Sequence, residues 1–533
     1  MAPEPSGSSK LARSAASAGI ATMASRILGL ARDQVLASLF GAAAQLDAYY
    51  VAFRIPNLLR DLFAEGAMSA AFVPTFTKYL TTAGKTSAWR LTNLVLTALA
   101  IITGTLVLLG IVFAEPLVRL MTDSDYTSNV AKLTLTVELA RVMMPTLTLI
   151  ALAAALMGVL NSLHHFFIPA LSPAMFNVVT IVFAFAVVPF MDRLGIQPIV
   201  AIAISTTLGG LAQLALQWPT LRAEGFRYRP MIDWTDAGLR RVLVLMGPGT
   251  IGLAATQVNL LVNTALATRQ EGAVTWLQLA FRLMYFPIGL FGVSIATATL
   301  PAVSRHTAQN EPSAVRDTIA DGLSLMLMLN VPATIGLAVL AVPIVRLLFE
   351  HGRFTPADTL ATAAALQFYA IGLIGYSIVR IASPTFYALG RARTPVTISV
   401  ITVLVNAALN ITLMNVMGYR GLALGTSMAA LFNATMLLVL LRSHFHGLRE
   451  RQLLSAMVRI GMASALMGAT AFYTHEQLQE WLPSHAIAVQ ALRLGTAIGL
   501  AVVVLAASAW ALRIREFNEG VAIVVRRFRR TAR

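Results

Sequence analysis

Met23–Phe40 reads MASRILGLARDQVLASLF, apolar enough along most of its length to cross a bilayer, yet it carries Arg26, Arg32 and Asp33. The stretch that follows repeats the pattern with Asp47, Arg54, Arg60, Asp61 and Glu65, and a third apolar run, Trp276–Leu300, holds Arg282. A charge near the centre of a bilayer costs about 2.5–3.5 kcal/mol even on the permissive insertion scale. Such charges persist when they pair with one another, line a water-filled cavity or hold a charged ligand. Arginine predominates here, so the expected ligand is an anion.

These segments belong to a chain of 533 residues that is 57% hydrophobic and 12% charged, with mean hydropathy +0.73. That composition specifies an all-α polytopic membrane protein. Hydrophobic windows of about 20 residues give about fourteen transmembrane helices. They fall at 17–41, 47–80, 89–114, 131–161, 166–191, 196–221, 239–268, 273–304, 318–348, 357–389, 394–417, 419–442, 452–474 and 488–513. The absence of cysteine excludes disulfides, thiolate metal sites and cysteine nucleophiles. No Walker A, GxSxG or HExxH pattern is present, and His164-His165 has no second ligand set. The chain therefore reads as a transporter and not an enzyme, with no metal site and no cofactor. The N-terminal MAPEPSGSSKLAR lacks the short apolar core and small-residue cleavage site of a signal peptide, so the first helix is expected to do the targeting.

A net charge of +16 would suit nucleic acid, but the excess falls in loops and in the tail Arg526-Arg527-Phe528-Arg529-Arg530. That is the distribution the positive-inside rule requires, so no nucleic-acid partner is expected, and the tail reads as an anionic-lipid anchor. Lys10, Arg13, Lys78, Lys85, Arg90, Arg222, Arg227, Arg229, Arg240, Arg241, Arg305, Arg316, Arg391, Arg393, Arg442, Arg449, Arg451 and the tail fall on one side. The other side receives far fewer, among them Arg119, Lys132, Arg193, Arg269, Arg353 and Arg420. Both termini are expected in the cytoplasm, which an even helix count requires.

An internal repeat is visible. Ala52-Phe53-Arg54 recurs 228 positions later as Ala280-Phe281-Arg282, with Phe63 and Phe291 at the same offset. Gln34-Val35 matches Gln257-Val258 at an offset of 223, and Pro169 matches Pro395 at 226. The offset spans six helices, so the copies share one orientation and form parallel repeats about an axis along the membrane normal. The expected organisation is a cytoplasmic tail at 1–16, helices 1–6 as one lobe at 17–222, a cytoplasmic linker at 223–238, and helices 7–12 as a second lobe at 239–443. Helices 13 and 14 at 444–513 have no counterpart, and a basic tail occupies 514–533. Two six-helix lobes with a cavity between them suit alternating access.

On a straight helix Arg26 and Asp33 share a face, while Arg32 points elsewhere unless Gly29 permits a bend. Asp47, Arg54, Asp61 and Glu65 form a stripe at helical spacing, and Pro56 is expected to break the helix before Arg60. Internal pairs such as Arg32 with Asp47, Arg54 with Asp61, or Glu138 with Arg141 would be the bland outcome. Arg282 has no acidic residue within two turns and is the one most open to a ligand. Arg380 could reach the cavity or snorkel, and Asn406 with Asn410 suits a helix–helix hydrogen bond.

The blocks Ser25-Arg26-Ile27-Leu28-Gly29 with Ala31-Arg32-Asp33, Leu46-Asp47-Ala48-Tyr49-Tyr50, and Val51–Arg60 (VAFRIPNLLR) resemble the MurJ/MviN lipid II flippase family. Phe63-Ala64-Glu65-Gly66-Ala67 and Ala71-Phe72-Val73-Pro74 continue the resemblance. It implies the multidrug/oligosaccharidyl-lipid/polysaccharide exporter superfamily and a multi-pass bacterial inner-membrane protein. It also implies flipping of undecaprenyl-diphosphate-linked peptidoglycan precursor, lipid II, from the cytoplasmic to the periplasmic leaflet by alternating access. On this resemblance a cavity of arginines binds the diphosphate through Arg26, Arg32, Arg60 and Arg282, with Asp47 and Arg54 as further substrate-binding residues. Asp33, Asp61, Glu65 and Arg380 are secondary or gating residues, and helices 13–14 form a groove for the lipid tail. Tyr285 stands where relatives can carry an acidic neighbour of the helix-eight arginine. The proposed sodium site of the family needs an aspartate that Gly247–Thr268 lacks, so sodium is not supported and membrane potential is the candidate energy source. Expected partners are lipid II, membrane lipids and the cell-wall synthesis machinery. The alternative reading is an exporter of another lipid-linked glycan, or a cation-coupled drug exporter, although a cation carrier would favour acidic residues in the cavity.

Overall fold

Long uncharged runs of alanine, leucine, valine and methionine satisfy their backbone only by folding into helices when water is absent. The computed structural model describes residues 7–61, 67–289 and 293–518, and every regular element among them is a helix. Glu65, Phe63, Phe291 and the Arg526–Arg530 cluster lie outside the described residues. The chain divides into two compact units. One takes in the described residues up to Thr275 together with Gly352–Phe354, and the other takes Trp276–His351 and the described residues from Thr355 onward.

The first unit begins with α1 (Gly7–Phe40), α2 (Ala44–Arg60) and α3 (Ala67–Val112), followed by the short α4 (Ala114–Leu120) and α5 (Ser124–Ser128). It continues with α6 (Val130–Met143), α7 (Thr146–Ser162), α8 (Phe167–Ala186), the short α9 (Val188–Met191), α10 (Pro198–Ala223) and α11 (Ala237–Ala267). Gly84, with φ +80°, divides α3 into two helical runs, a backbone turn that glycine makes without strain. α12 (Ala273–Pro287) starts in this unit and continues into the second, which holds α13 (Val293–Ala308), α14 (Pro312–Val339), α15 (Ala341–Phe349) and α16 (Pro356–Ala388). α17 (Arg393–Met417), α18 (Tyr419–Phe445), α19 (Glu450–Trp481) and α20 (Ile487–Ala511) complete it. The expected spans fall largely on helix among the described residues, although 131–161 is divided between α6 and α7 and 318–348 between α14 and α15. Ten helices among the described residues are long and apolar enough to cross a membrane by length and composition.

The boundaries differ from expectation in instructive ways. Pro56 does not end its helix: α2 continues through it to Arg60 and leaves by a π-type turn at Asp61. α1 runs unbroken through Gly29. The expected lobe boundary at 223–238 is not where the compact units part. Leu239, Val242 and Met246 at the start of α11 pack into a core with Phe72, Phe76, Leu91 and Phe226, which ties α11 to α3. Gly238 makes this approach possible, since a Cβ there would lie 2.7 Å from the Tyr79 hydroxyl.

Close helix packing in both units relies on small residues, as it must where lipid offers no hydrophobic drive. Gly209 of α10 lies against Phe176 of α8, and Gly372 and Gly375 of α16 lie against Ser427 and Ala430 of α18. Asn410 donates to Asn406 within α17 (2.9 Å) and abuts Gly425 of α18, so the asparagine pair serves the helix interface. α19 and α20 pack on α14 and α15 through Leu327, Val331, Ile460, Ala463, Met467 and Leu494. On the side expected to be cytoplasmic, Glu224 accepts from Lys85 (3.0 Å) and pairs with His165 (2.9 Å). His165, and then Lys85, hold its carboxyl below the usual carboxylate range.

Candidate functional site

The arginines of the first unit differ in how they are held. Arg32 is buried, and its guanidinium curls onto the next residue, with Nε and Nη2 donating to Asp33 Oδ1 at 3.1 and 2.8 Å. Its other support is the Phe176 ring of α8, whose centroid lies 5.5 Å away. Phe176 in turn meets Phe53 (5.9 Å), which stacks on Tyr49 (6.1 Å), whose hydroxyl lies 3.0 Å from that of Thr206 on α10. Next to Phe176, Asn177 Nδ2 donates to the Ser25 carbonyl (3.2 Å), pinning α1 one residue before Arg26. Arg26 itself is half-buried and has no hydrogen-bond or ion-pair partner among the described residues.

Arg60 repeats the geometry of Arg32. Its Nε and Nη2 donate to Asp61 Oδ1 at 3.1 and 2.7 Å, but both side chains are one-quarter exposed. Among the described residues Arg32 pairs with Asp33 and Arg60 with Asp61, in place of the Arg32–Asp47 and Arg54–Asp61 pairs that helical spacing suggested. Arg54 is half-buried and engaged within the fold. The Glu138–Arg141 pair is likewise not formed: Arg141 Nε donates to the Ile111 carbonyl (3.3 Å), and Glu138 is exposed.

Asp47, expected among the substrate-binding residues, is occupied by backbone instead. Its carboxylate, 1% exposed, accepts from the N–H of Gly272 (2.7 Å), the N–H of Thr275 (3.0 Å) and the Thr275 hydroxyl (2.7 Å). The first N–H groups of a helix lack intrahelical partners and favour negative charge, so Asp47 caps the start of α12 from another helix. The same stretch is fixed by Arg269 Nε on Asp123 (3.0 Å) and by the Asp123 N–H on the Thr268 hydroxyl (2.9 Å).

In the second unit Arg282 sits half-buried on α12, beside its sequence neighbour Phe281. Phe281 lies 5.5 Å from Tyr285, 5.5 Å from Tyr369 and 6.3 Å from Tyr376. Arg380 of α16 is exposed and donates to the Tyr285 hydroxyl (2.5 Å), so Tyr285 engages a cation from another helix. Arg282 was expected to be without an internal task; it is engaged within the fold. Phe53 and Phe281 each anchor an aromatic cluster beside an arginine, and α2 and α12 both leave through a π-type turn, at Asp61 and at Ile288-Gly289. Helices that loosen in this way accumulate at functional sites.

Sequence reasoning missed Phe176, Asn177 and Thr206, whose support of Arg32 and α1 comes from helices far along the chain. It also missed Gly272 and Thr275 as the partners of Asp47. Spacing within one helix carries no sign of either.

Comparison with known proteins finds similarity over most of the chain. The family model described as "Lipid II flippase MurJ" matches residues 36–492. The chain is 34% identical over 504 residues to a probable lipid II flippase MurJ of Vibrio cholerae, covering 93% of this chain and 95% of that one. It is 36% identical over 464 residues to a protein of the same description from Bdellovibrio bacteriovorus, covering 86% and 87%. A solved lipid II flippase MurJ in an inward closed conformation superposes with TM-score 0.74 at 26% identity, covering 93% of this chain and 99% of that one. An inward-facing multidrug transporter of the MATE family superposes at 0.67 with 15% identity over 80% and 96%, a likeness of fold alone.

Proposed function

The chain belongs to the MurJ family of lipid II flippases, and from that premise we propose that Arg26, Arg32 and Arg60, with Arg282, hold the diphosphate of lipid II during translocation. The protein is a multi-pass inner-membrane flippase that moves this peptidoglycan precursor from the cytoplasmic to the periplasmic leaflet. A guanidinium presents forked donors that match phosphate oxygens and stays charged at any relevant pH.

The observation that carries the proposal is the contrast along α1. Arg32 is neutralised by Asp33 and shelved on Phe176, whereas Arg26 has no counter-charge among the described residues. An arginine left in that state at membrane depth is costly until an anion reaches it. Arg26 is thus the first contact for the diphosphate. Arg60, one-quarter exposed, exchanges Asp61 for a phosphate oxygen, so the acidic neighbours hold the arginines while substrate is absent. The isoprenoid tail lies against α19 and α20, whose Leu454, Met457, Met462, Leu466 and Val503 are exposed and apolar. Alternating access carries the site between leaflets. Membrane potential is its candidate drive, at about 2.3 kcal/mol per charge per 100 mV.

The test is single alanine replacement of Arg26, Arg32, Arg60 and Arg282, scored by rescue of cells depleted of their own flippase and by lipid II exposure at the periplasmic face. A charge-assisted hydrogen bond is worth about 1.5–3 kcal/mol, so each loss is expected to weaken substrate retention about tenfold to a hundredfold while membrane insertion is unchanged. Wild-type rescue by all four variants would remove the arginines from the mechanism.

A further inference from the structure

The segment joining α10 to α11 is fastened to the helix bundle, and its outer face has a composition of its own. Phe226 is buried beside Trp89 and Trp218, with ring centroids 5.2 and 6.2 Å away. Beyond it the backbone lies along the second run of α3. The N–H of Arg229 donates to Asn93 Oδ1 (3.2 Å), and Asn93 Nδ2 donates to the Arg227 carbonyl (3.3 Å). The N–H of Met231 donates to the Thr97 hydroxyl (3.3 Å), which lies 3.2 Å from the Tyr228 hydroxyl.

The depth of this attachment can be read from α3 itself. Asn93 immediately precedes the uncharged run 94–112, which at 1.5 Å per residue spans about 28 Å, close to the thickness of a bilayer core. Residues 227–231 are therefore held where α3 enters the hydrocarbon. Their neighbours face outward: Ile232 is 66% exposed, Trp234 46% and Tyr228 40%. Arg90, Arg227, Arg229, Arg240 and Arg241 are exposed around them.

The nearby acids are already occupied. Glu224 is held by Lys85 and His165, and Asp236 caps α11 through the N–H groups of Gly238 and Leu239 (2.9 and 3.0 Å). Asp233 is bound by the Thr235 hydroxyl (2.6 Å) and lies 3.6 Å from Arg90. Arg227, Arg229, Arg240 and Arg241 have no ion-pair partner among the described residues. Aromatic rings with a polar edge settle at headgroup level, and clustered arginines there attract anionic lipid.

We propose that residues 227–234 form an interfacial strap that binds anionic phospholipid of the cytoplasmic leaflet, with Ile232 and Trp234 at the acyl boundary and Arg227 and Arg229 on the phosphates. The strap is separate from the arginines of α1, α2 and α12, and its test reads lipid contact rather than flipping.

The full chain is reconstituted in vesicles of phosphatidylglycerol with phosphatidylcholine. The fluorescence lost on Trp234→Phe isolates one of the six tryptophans. That component is expected to be quenched by phospholipid brominated on the acyl chain and shielded from aqueous iodide. Quenching by iodide without quenching by brominated lipid overturns the proposal. In parallel, retention of phosphatidylglycerol by the purified protein is compared for wild type, Arg227→Gln and the Arg227→Gln/Arg229→Gln double variant. Each arginine removed is expected to weaken retention about fivefold, the ratio set by about 1 kcal/mol per surface cation. Unchanged retention in the double variant, or an equal loss of phosphatidylcholine, overturns the choice of anionic lipid.

Discussion

Arg32 and Arg26 lie on one helix but face opposite energetic problems, and that contrast can be measured. Asp33 is 1% exposed and is the acid to which Arg32 donates. Removing one partner of a buried pair leaves an uncompensated charge and typically costs about 3–5 kcal/mol. Asp33→Ala is therefore expected to lower the unfolding midpoint of the detergent-solubilised protein sharply, whereas Arg26→Ala does not lower it and impairs flipping. Equal midpoints for the two variants would show that Asp33 does not support Arg32. Asp47 predicts a related loss. Asp47→Ala strips the acceptor from two backbone N–H groups and a hydroxyl, at about 1–3 kcal/mol for each buried donor left unpaired, and thermal unfolding reads it directly. The sequence made the charges of α1 and α2 conspicuous, because charge in an apolar run needs no context to be noticed. It did not show their partners. Adjacent residues on a helix point about 100° apart, so Arg32 and Asp33 looked unpaired until the long arginine side chain was seen to curl back. Asp47 was harder still, since its partners lie more than two hundred residues away and are mostly backbone.

Helix positions were legible because hydropathy reports them directly, whereas the ways helices interrupt and meet depend on tertiary contacts. Pro56 has the local signature of a break, yet α2 continues past it to Arg60, and Pro56 itself is buried. The lobe boundary followed the repeat in sequence, but Leu239, Val242 and Met246 join α11 to the core of the first unit. The contact that supports Arg32 is of this hidden kind. A Cβ at Gly209 would lie 2.9 Å from Phe176 Cδ2 and 3.1 Å from its Cα, so α8 can seat its ring under Arg32 only because α10 offers glycine there. Gly209→Ala is expected to cost about 1–3 kcal/mol by overpacking and to reduce flipping by displacing Phe176. Melting curves and flipping assays of Gly209→Ala and of Gly209→Ala with Phe176→Leu separate the two effects. The smaller side chain should recover part of both losses, and no recovery of flipping would mean that the ring does not position Arg32.

For the whole chain, orientation is the property most directly determined by charge. Each connection rich in Lys and Arg is predicted to stay in the cytoplasm because translocating those charges is disfavoured, while the opposite connections carry few. Successive helices must alternate, and this determines the side of every loop once one is assigned. Thr82, at the turn within α3, and Gln309, after α13, fall on the arginine-rich side; Ser128 at the end of α5 and Ser484 between α19 and α20 fall on the other. All four are exposed, and the chain has no cysteine, so each can be replaced by a single reactive thiol on a silent background. In intact spheroplasts a membrane-impermeant maleimide is expected to label Ser128→Cys and Ser484→Cys, and to reach Thr82→Cys and Gln309→Cys only after permeabilisation. The inverse pattern would place both termini outside, and would move Arg227 and Arg229 away from the anionic cytoplasmic leaflet. A mixed pattern, with Ser128 and Ser484 on opposite sides, would instead change the number of crossings between them, and with it the even helix count that puts both chain ends on one side.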